Sequence, residues 1–275
     1  MLVIWVMHMA QDLLKVENLT KVFSTGFIRR RNEIVAVNNV NFSCRSGEIV
    51  GIIGESGSGK TTLMKMILKL LKPTSGAIYF EDKDIWEIPN KQYYRHVQGI
   101  FQDPYSSINP VYRVKHLFAN SSNLLKGMPK DEIKKRIKEV IELVNLEVDV
   151  LDKHIDELSG GQLQRILLAN CLLVDPDIIL ADEPTSMIDA SLRVMILNIL
   201  KDLSENHNKL MIFITHDISQ AFYICDRILV MHQGRIVEQG SAESIVFNPQ
   251  NPYTKRLIAD VPRLKQKFEF SKLLS

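Results

Sequence analysis

Lys60 stands at the end of a glycine-rich run, Gly54-Glu55-Ser56-Gly57-Ser58-Gly59, and is followed by Thr61 and Thr62. Glycines in such a run let backbone N–H groups turn inward around an anion. A lysine at this spacing reaches the outer phosphate oxygens of a bound nucleotide, and the hydroxyl after it is placed to ligate Mg²⁺. A second candidate group is Asp182-Glu183, at the end of the apolar run Ile178-Ile-Leu-Ala181. A carboxylate there can hold the metal directly or through water, which suits Asp182, while Glu183 can polarise an attacking water. Asp-Glu after an apolar strand is often no more than the polar start of a loop. It gains meaning from Lys60, because both groups belong at the carboxyl ends of strands in one sheet, where such folds bind ligands. The third group is Ser159-Gly160-Gly161-Gln162. Taken alone it reads as a linker, but the apolar run Ile166 to Leu173 follows it. That puts the glycines at a helix N-terminus, where exposed N–H groups suit the γ-phosphate of a nucleotide.

Positioning these groups takes a parallel α/β sheet. The run Ile49-Val-Gly-Ile-Ile53 is continuously apolar, as a strand buried on both faces should be, and it leads through the glycine loop into a helix expected to reach Leu71. Two further runs, Ile178 to Ala181 and Leu210 to Thr215, have the same texture, with helical patterns before and between them. Ahead of them, Leu13 to Val22 and Ile34 to Ser43 alternate apolar and polar residues like half-buried strands. From about Gln92 to Leu173 the pattern is mostly helical. Pro129 to Leu146 places Ile133, Ile137, Val140, Ile141 and Val144 on one stripe, with Asp131 and Glu132 near its start. Arg227 to Met231, the turn Gln233-Gly234 and Arg235 to Glu238 read as a hairpin.

Composition narrows the function classes. The 275 residues are 45% hydrophobic, enough for a full core, and the formal net charge of +2 supplies no strong field for nucleic acid. The best candidate for a local basic patch is Arg29, Arg30 and Arg31, three adjacent arginines that read as a solvated loop. The three cysteines, Cys44, Cys171 and Cys225, are far apart and form no C-x-x-C pair, as expected of a reduced protein without a zinc site. Met1 to Met7 is apolar, yet it lacks the flanking charge and cleavage site of a signal peptide and is expected to belong to an extension over 1–12. No stretch of roughly 18 apolar residues runs without charge, so a membrane role requires other chains to supply the spanning part.

Taken together, the Lys60 loop, Asp182-Glu183 and Leu158-Ser159-Gly160-Gly161-Gln162 resemble the motifs of the ABC ATPases, from about Leu13 to Pro262. The resemblance implies a P-loop NTPase of ABC type. Its parts would be a parallel-sheet core, an antiparallel sheet made by the N-terminal strands and the hairpin, and an inserted helical subdomain. Residues 13–245 would form the ATPase domain, with the insert at about 92–173, and 246–275 a C-terminal tail. Further roles follow from matching positions. Gln102, in Phe101-Gln-Asp-Pro104, resembles the glutamine that senses Mg²⁺ and the γ-phosphate. Ser186-Met-Ile-Asp189 resembles the loop that touches a partner subunit, His216 the histidine that contacts the γ-phosphate, and Phe23 the aromatic that stacks on adenine. The expected nucleotide set is then Phe23, residues 54–62, Ser159 to Gln162 and Asp189. Thr61, Gln102 and Asp182 would hold the metal, and Glu183, His216, Gln102 and Lys60 would carry the chemistry. The family more often has Ala-Leu where this chain has Met187-Ile188, and Arg where it has Asn170.

Within the family, Phe27-Ile-Arg-Arg-Arg31 and the tail Phe247-Asn-Pro-Gln-Asn-Pro-Tyr-Thr-Lys255 resemble the ATPases of oligopeptide and dipeptide importers. That implies a second ATPase subunit, related or identical, transmembrane permease subunits and, indirectly, a solute-binding protein, with the chain peripheral on the cytoplasmic face of the cell membrane. No nucleic acid is implied. ATP and Mg²⁺ are the implied ligands. Many relatives carry a C-terminal cysteine cluster, but no cysteine follows Cys225 here, so no iron–sulfur centre is expected. Oligosaccharide or nickel cargo would leave the ATPase unchanged. A soluble ABC ATPase acting on ribosomes or DNA would carry two ATPase units or a long coiled coil, and a non-hydrolysing module would have lost Glu183 or His216.

Overall fold

The computed structural model describes residues 12–25, 32–103 and 108–259. The expected N-terminal extension up to residue 11, the basic stretch Phe27 to Arg31, Pro104, Pro262 and the rest of the tail from 260 lie outside the described residues.

The chain opens with a long antiparallel pair, β1 (Asp12–Thr25) and β2 (Asn32–Arg45), and the buried strand β3 (Ile49–Ile53) follows. Helix α1 (Lys60–Ile67) starts on the glycine loop and ends short of Leu71, where Lys69 turns the chain with φ +57°. β4 (Ser75–Phe80) and β5 (Lys83–Asp84) come next, then α2 (Asn90–His96) and β6 (Val97–Ile100). Three helices follow, α3 (Val114–Ser122), α4 (Lys130–Leu143) and α5 (Gly160–Leu172). β7 (Ile178–Asp182), α6 (Ala190–Glu205), β8 (Leu210–Thr215) and α7 (Ile218–Ile224) lead to the hairpin β9 (Arg227–His232) and β10 (Arg235–Ser241). Helices α8 (Ala242–Phe247) and α9 (Pro252–Ala259) close the described chain.

Two sheets result. One is antiparallel, in the order β2-β1-β4-β5, and the other has the order β10-β9-β3-β8-β7-β6 with every neighbour parallel except β10 on β9. The apolar strands β3, β7 and β8 are buried at every position. Strand period explains why no polar residue interrupts them. Ile49, Ile53, Ile179, Ala181, Met211 and Phe213 face a core that also contains residues of α3 to α8, whereas Val50, Ile52, Ile178, Leu180 and Ile212 face one shared with α1 and the antiparallel sheet.

One expectation needs correction. The hairpin does not join the antiparallel sheet: β9 pairs in parallel with β3, and β4 and β5 take the place expected for it. The alternative was open because Ile228, Leu229, Val230 and Met231 are buried on both faces, a pattern that suits a parallel neighbour rather than a solvated sheet. The span 92–173, expected to be mostly helical, also contains β6, which pairs with β7 as an edge strand, and its later helices begin only after Ile100. Position 245, the expected end of the ATPase domain, falls inside α8.

Candidate nucleotide site

The β3-to-α1 connection is shaped by close approach. Gly54 has φ +152°, and a Cβ there would sit 2.1 Å from the Met231 carbonyl oxygen; Gly59 has φ +107°, with a Cβ 2.3 Å from the Ala36 carbonyl oxygen. No side chain fits at either position, which fixes the loop between β2 and β9. Inside it, Lys60 is only 8% exposed, and its Nζ donates to the carbonyls of Gly54 and Glu55, each at 2.8 Å, and to Ser58 Oγ at 3.4 Å. Burial lowers the Lys60 pKa, opposed by the charges of Asp182, Glu183 and Glu55.

Strand β7 delivers the carboxylates. Asp182 pairs with Ile214 of β8, is buried, and accepts a hydrogen bond from the Thr61 hydroxyl at 2.9 Å. Its pKa is raised, chiefly by burial and further by the Glu183 charge, against the pull of the Thr61 bond and Lys60. Glu183 leaves the strand with φ +48°, a left-handed conformation costly for a residue with a Cβ and concentrated at functional sites. The turn aims its carboxylate across the cleft. One oxygen meets His216 Nδ1 at 2.6 Å, and the other accepts from Gln102 Nε2 at 2.6 Å. The Glu183 side chain is 14% exposed and His216 70% exposed, so the carboxylate lies inside and the imidazole at the mouth. Gln102 follows β6, and His216 lies between β8 and α7, so three parallel strands converge on one carboxylate.

These groups share one cleft of about 770 Å³, lined by Ser56, Gly57, Gly59, Lys60, Thr61 and Thr62 together with Gln102, Asp182, Glu183 and His216. Its opposite wall, Ile34, Val35, Ala36, Gln233 and Gly234, is absent from the sequence-based expectation. The signal was weak: Ile34 and Val35 are 58% and 45% exposed at one end of an otherwise amphipathic strand, and Gly234 is a turn residue that brings the hairpin to the loop through its N–H on the Ser58 carbonyl, at 2.9 Å. Phe23 is 38% exposed and so not a core residue; it lies opposite Ile34 in the β1–β2 register, beside the wall rather than in it.

The donors available to a divalent ion are hard oxygens, the Thr61 hydroxyl and the Asp182 carboxylate, a set that suits Mg²⁺ held jointly with phosphates. Gln102 contacts Glu183 rather than either of them. Among the described residues no group of three or more His, Cys, Asp or Glu forms a metal cage.

Ser159 to Gln162 and Asp189 do not line this cleft. Ser159 and Gln162 cap α5 reciprocally: Gln162 N–H donates to Ser159 Oγ at 3.2 Å, and Ser159 N–H donates to Gln162 Oε1 at 3.0 Å. A Cβ on Gly160 would lie 3.7 Å from the Met187 side chain, and one on Gly161 3.4 Å from the Met187 carbonyl oxygen. These glycines and the Ser186 to Asp189 loop are therefore neighbours, and Asp189 itself precedes the first turn of α6.

A glycine loop around a buried lysine, with Asp-Glu beyond a parallel strand, defines a P-loop nucleoside triphosphatase. The chain belongs to the ABC transporter family, whose profile matches residues 37–186, and is an ATPase of that type. It is similar to a putative peptide import ATP-binding protein of Brucella ovis, at 38% identity over 253 residues, covering 91% of this chain and 78% of that one. It is 40% identical over 260 residues to the dipeptide transport ATP-binding protein DppF of Lactococcus lactis, covering 92% and 82% of the two chains. Among solved structures, a dimeric ATP-binding cassette in a post-hydrolysis state bound to ADP and Pi superposes with a TM-score of 0.75 at 30% identity, covering 83% of this chain and 98% of that one.

Proposed function

We propose that the chain is the ATP-hydrolysing subunit of a peptide importer, serving oligopeptides or dipeptides at the cytoplasmic face of a membrane. It would pair with a second ATPase subunit against transmembrane permease subunits, with a solute-binding protein supplying cargo. The peptide assignment is supported by likeness to peptide-import ATPases over most of both chains. No helix among the described residues is long and apolar enough to cross a membrane. The observation that carries the chemistry is Glu183, strained and gripped by Gln102 and His216 one residue beyond the Asp182–Thr61 contact.

In this reading the loop of residues 54–62 cradles the phosphates through its inward-turned N–H groups, and Lys60 turns from the loop carbonyls to the β- and γ-phosphate oxygens. Thr61 and Asp182, together with Gln102, would hold Mg²⁺, which when bound would neutralise charge on the phosphates. Glu183 orients a water and accepts its proton as the water oxygen bonds to the γ-phosphorus and the bond to the ADP oxygen breaks. His216, at the mouth, donates to the γ-phosphate. Ser159, Gly160, Gly161, Gln162 and Asp189 serve the nucleotide bound to the opposite subunit, which accords with their lying outside the cleft around Lys60.

Two variants separate binding from chemistry. Lys60→Ala removes the cradle's side-chain cation and is expected to weaken ATP binding at least tenfold. Glu183→Gln keeps shape while removing the base, so it should bind ATP normally and lose roughly a hundredfold or more in turnover. Titration of MgATP and a phosphate-release assay read both; unchanged affinity in the first or near-normal turnover in the second would sink the assigned role.

A further inference from the structure

The tail after Phe247 marked a resemblance in sequence and has no place in the chemistry above, yet it reaches the phosphate loop. The Glu55 N–H donates to Tyr253 Oη at 3.1 Å, across 198 positions of sequence. Glu55 N–H and the Gly54 carbonyl belong to one peptide unit, and that carbonyl accepts from Lys60 Nζ at 2.8 Å on the other side. Gly54 lacks a Cβ and sits at φ +152°, so its own sterics do little to stop this peptide from rotating.

Tyr253 is itself held in three ways. Its ring, 7% exposed, stacks on His232 with centroids 3.8 Å apart and planes at 28°. Its N–H donates to Asn251 Oδ1 at 2.8 Å. Upstream, the Glu238 carboxylate of β10 accepts the N–H of Gln250 at 2.7 Å and of Asn251 at 3.1 Å, clamping the turn that enters α9. His232 follows Met231, whose carbonyl occupies the space a Gly54 side chain would need.

We propose that Tyr253 is a positioning residue for the nucleotide site: its hydroxyl locks the Gly54–Glu55 peptide with the N–H outward and the carbonyl toward Lys60, so that the tail holds the loop in its phosphate-binding form. This rests on reading residues 54–62 as the phosphate cradle. Without the hydroxyl the peptide samples a flipped state, and affinity falls by the fraction of loops still competent. ATP and ADP share the phosphates that the loop surrounds, so both lose affinity by one factor, and the loss falls on KM rather than on kcat.

The test uses the full chain, MgATP and MgADP by calorimetric titration, and amide hydrogen exchange. Tyr253→Phe keeps the stack and removes the hydroxyl. One net hydrogen bond corresponds to about a fivefold effect, so Kd for both nucleotides should rise about fivefold and the Glu55 amide should exchange faster. Glu238→Ala, which frees the turn, should weaken both nucleotides in the wild-type background and add little in Tyr253→Phe, because both act through one contact. Unchanged affinities in Tyr253→Phe, or a loss for ATP alone, overturn the proposal. Lys60→Ala in the same titration distinguishes the failures: if it binds like wild type, the cradle reading has failed, and if it alone loses binding, only the role of Tyr253 has.

Discussion

At the scale of single residues, the site is a set of local conflicts resolved by partners. Glu183 adopts a left-handed backbone that its side chain disfavours, and its two oxygens are each occupied at 2.6 Å by groups from other strands. Lys60 is buried against its solvation preference and satisfied by loop carbonyls. Phe23 is the opposite case, an exposed aromatic on the rim whose ring centroid lies 5.3 Å from Lys21 Nζ. If it stacks on adenine, Phe23→Ala should weaken ATP binding by about 1 kcal/mol, roughly fivefold. Titration with ATP and GTP checks this. An affinity indifferent to the change would remove Phe23 from the site.

At the scale of elements, the helical layer is tied to the sheet by charge as well as by its apolar stripe. Asp175, in the turn between α5 and β7, meets Lys209 Nζ at 2.8 Å ahead of β8 and Arg136 of α4 at 3.4 Å. Burial raises its pKa, but the bond to and charge of Lys209, with Arg136, outweigh that and leave it lowered from 3.8. A carboxyl whose folded pKa is depressed contributes stability that is present above its unfolded pKa and is lost as pH falls through the folded one. Asp175 is half exposed, so solvent screens the pair and the contribution is on the order of 0.5–1 kcal/mol. Asp175→Asn tolerates the φ of +54° and should cost that much in urea unfolding at pH 7, with the difference from wild type shrinking as pH falls below 3.8 and through the lowered folded pKa. A deficit that does not change with pH would mean that the charge is not what matters.

At the scale of the whole molecule, the Lys60 cleft and the Ser159-Gly160-Gly161 turn are separate surfaces, each half of a proposed site completed by another subunit. ATP binding should then favour association, because ligand stabilises the state that contacts it on both sides. Specific ATPase activity of the purified chain should rise with protein concentration before levelling off, or appear only when a related ATPase subunit is added. Mixing Lys60→Ala with Gly160→Asp chains should restore part of the activity, since one of the two sites in the mixed dimer keeps both halves. A monomer, shown as such by sedimentation, that hydrolyses at full rate would overturn the composite site and leave nucleotide binding intact.

What the sequence determined by itself was whatever depends on near neighbours: β3, β7 and β8 from apolar runs, α4 from its stripe and acidic start, and the Lys60 loop from glycines whose positive φ the local turn requires. The Asp182-Glu183 pair was legible for the same reason, since it ends a run buried on both faces. Tertiary structure decided which strands become neighbours. A four-residue edge strand such as β6 shows too little periodicity to stand out among helices, and the parallel seat of β9 beside β3 is a pairing that no local pattern records. The grip on Glu183 joins residues 81 and 33 positions away, and the link from Tyr253 to Glu55 spans 198. Contacts that distant depend on how two buried faces pack together, so only the folded chain could bring those side chains to one cleft.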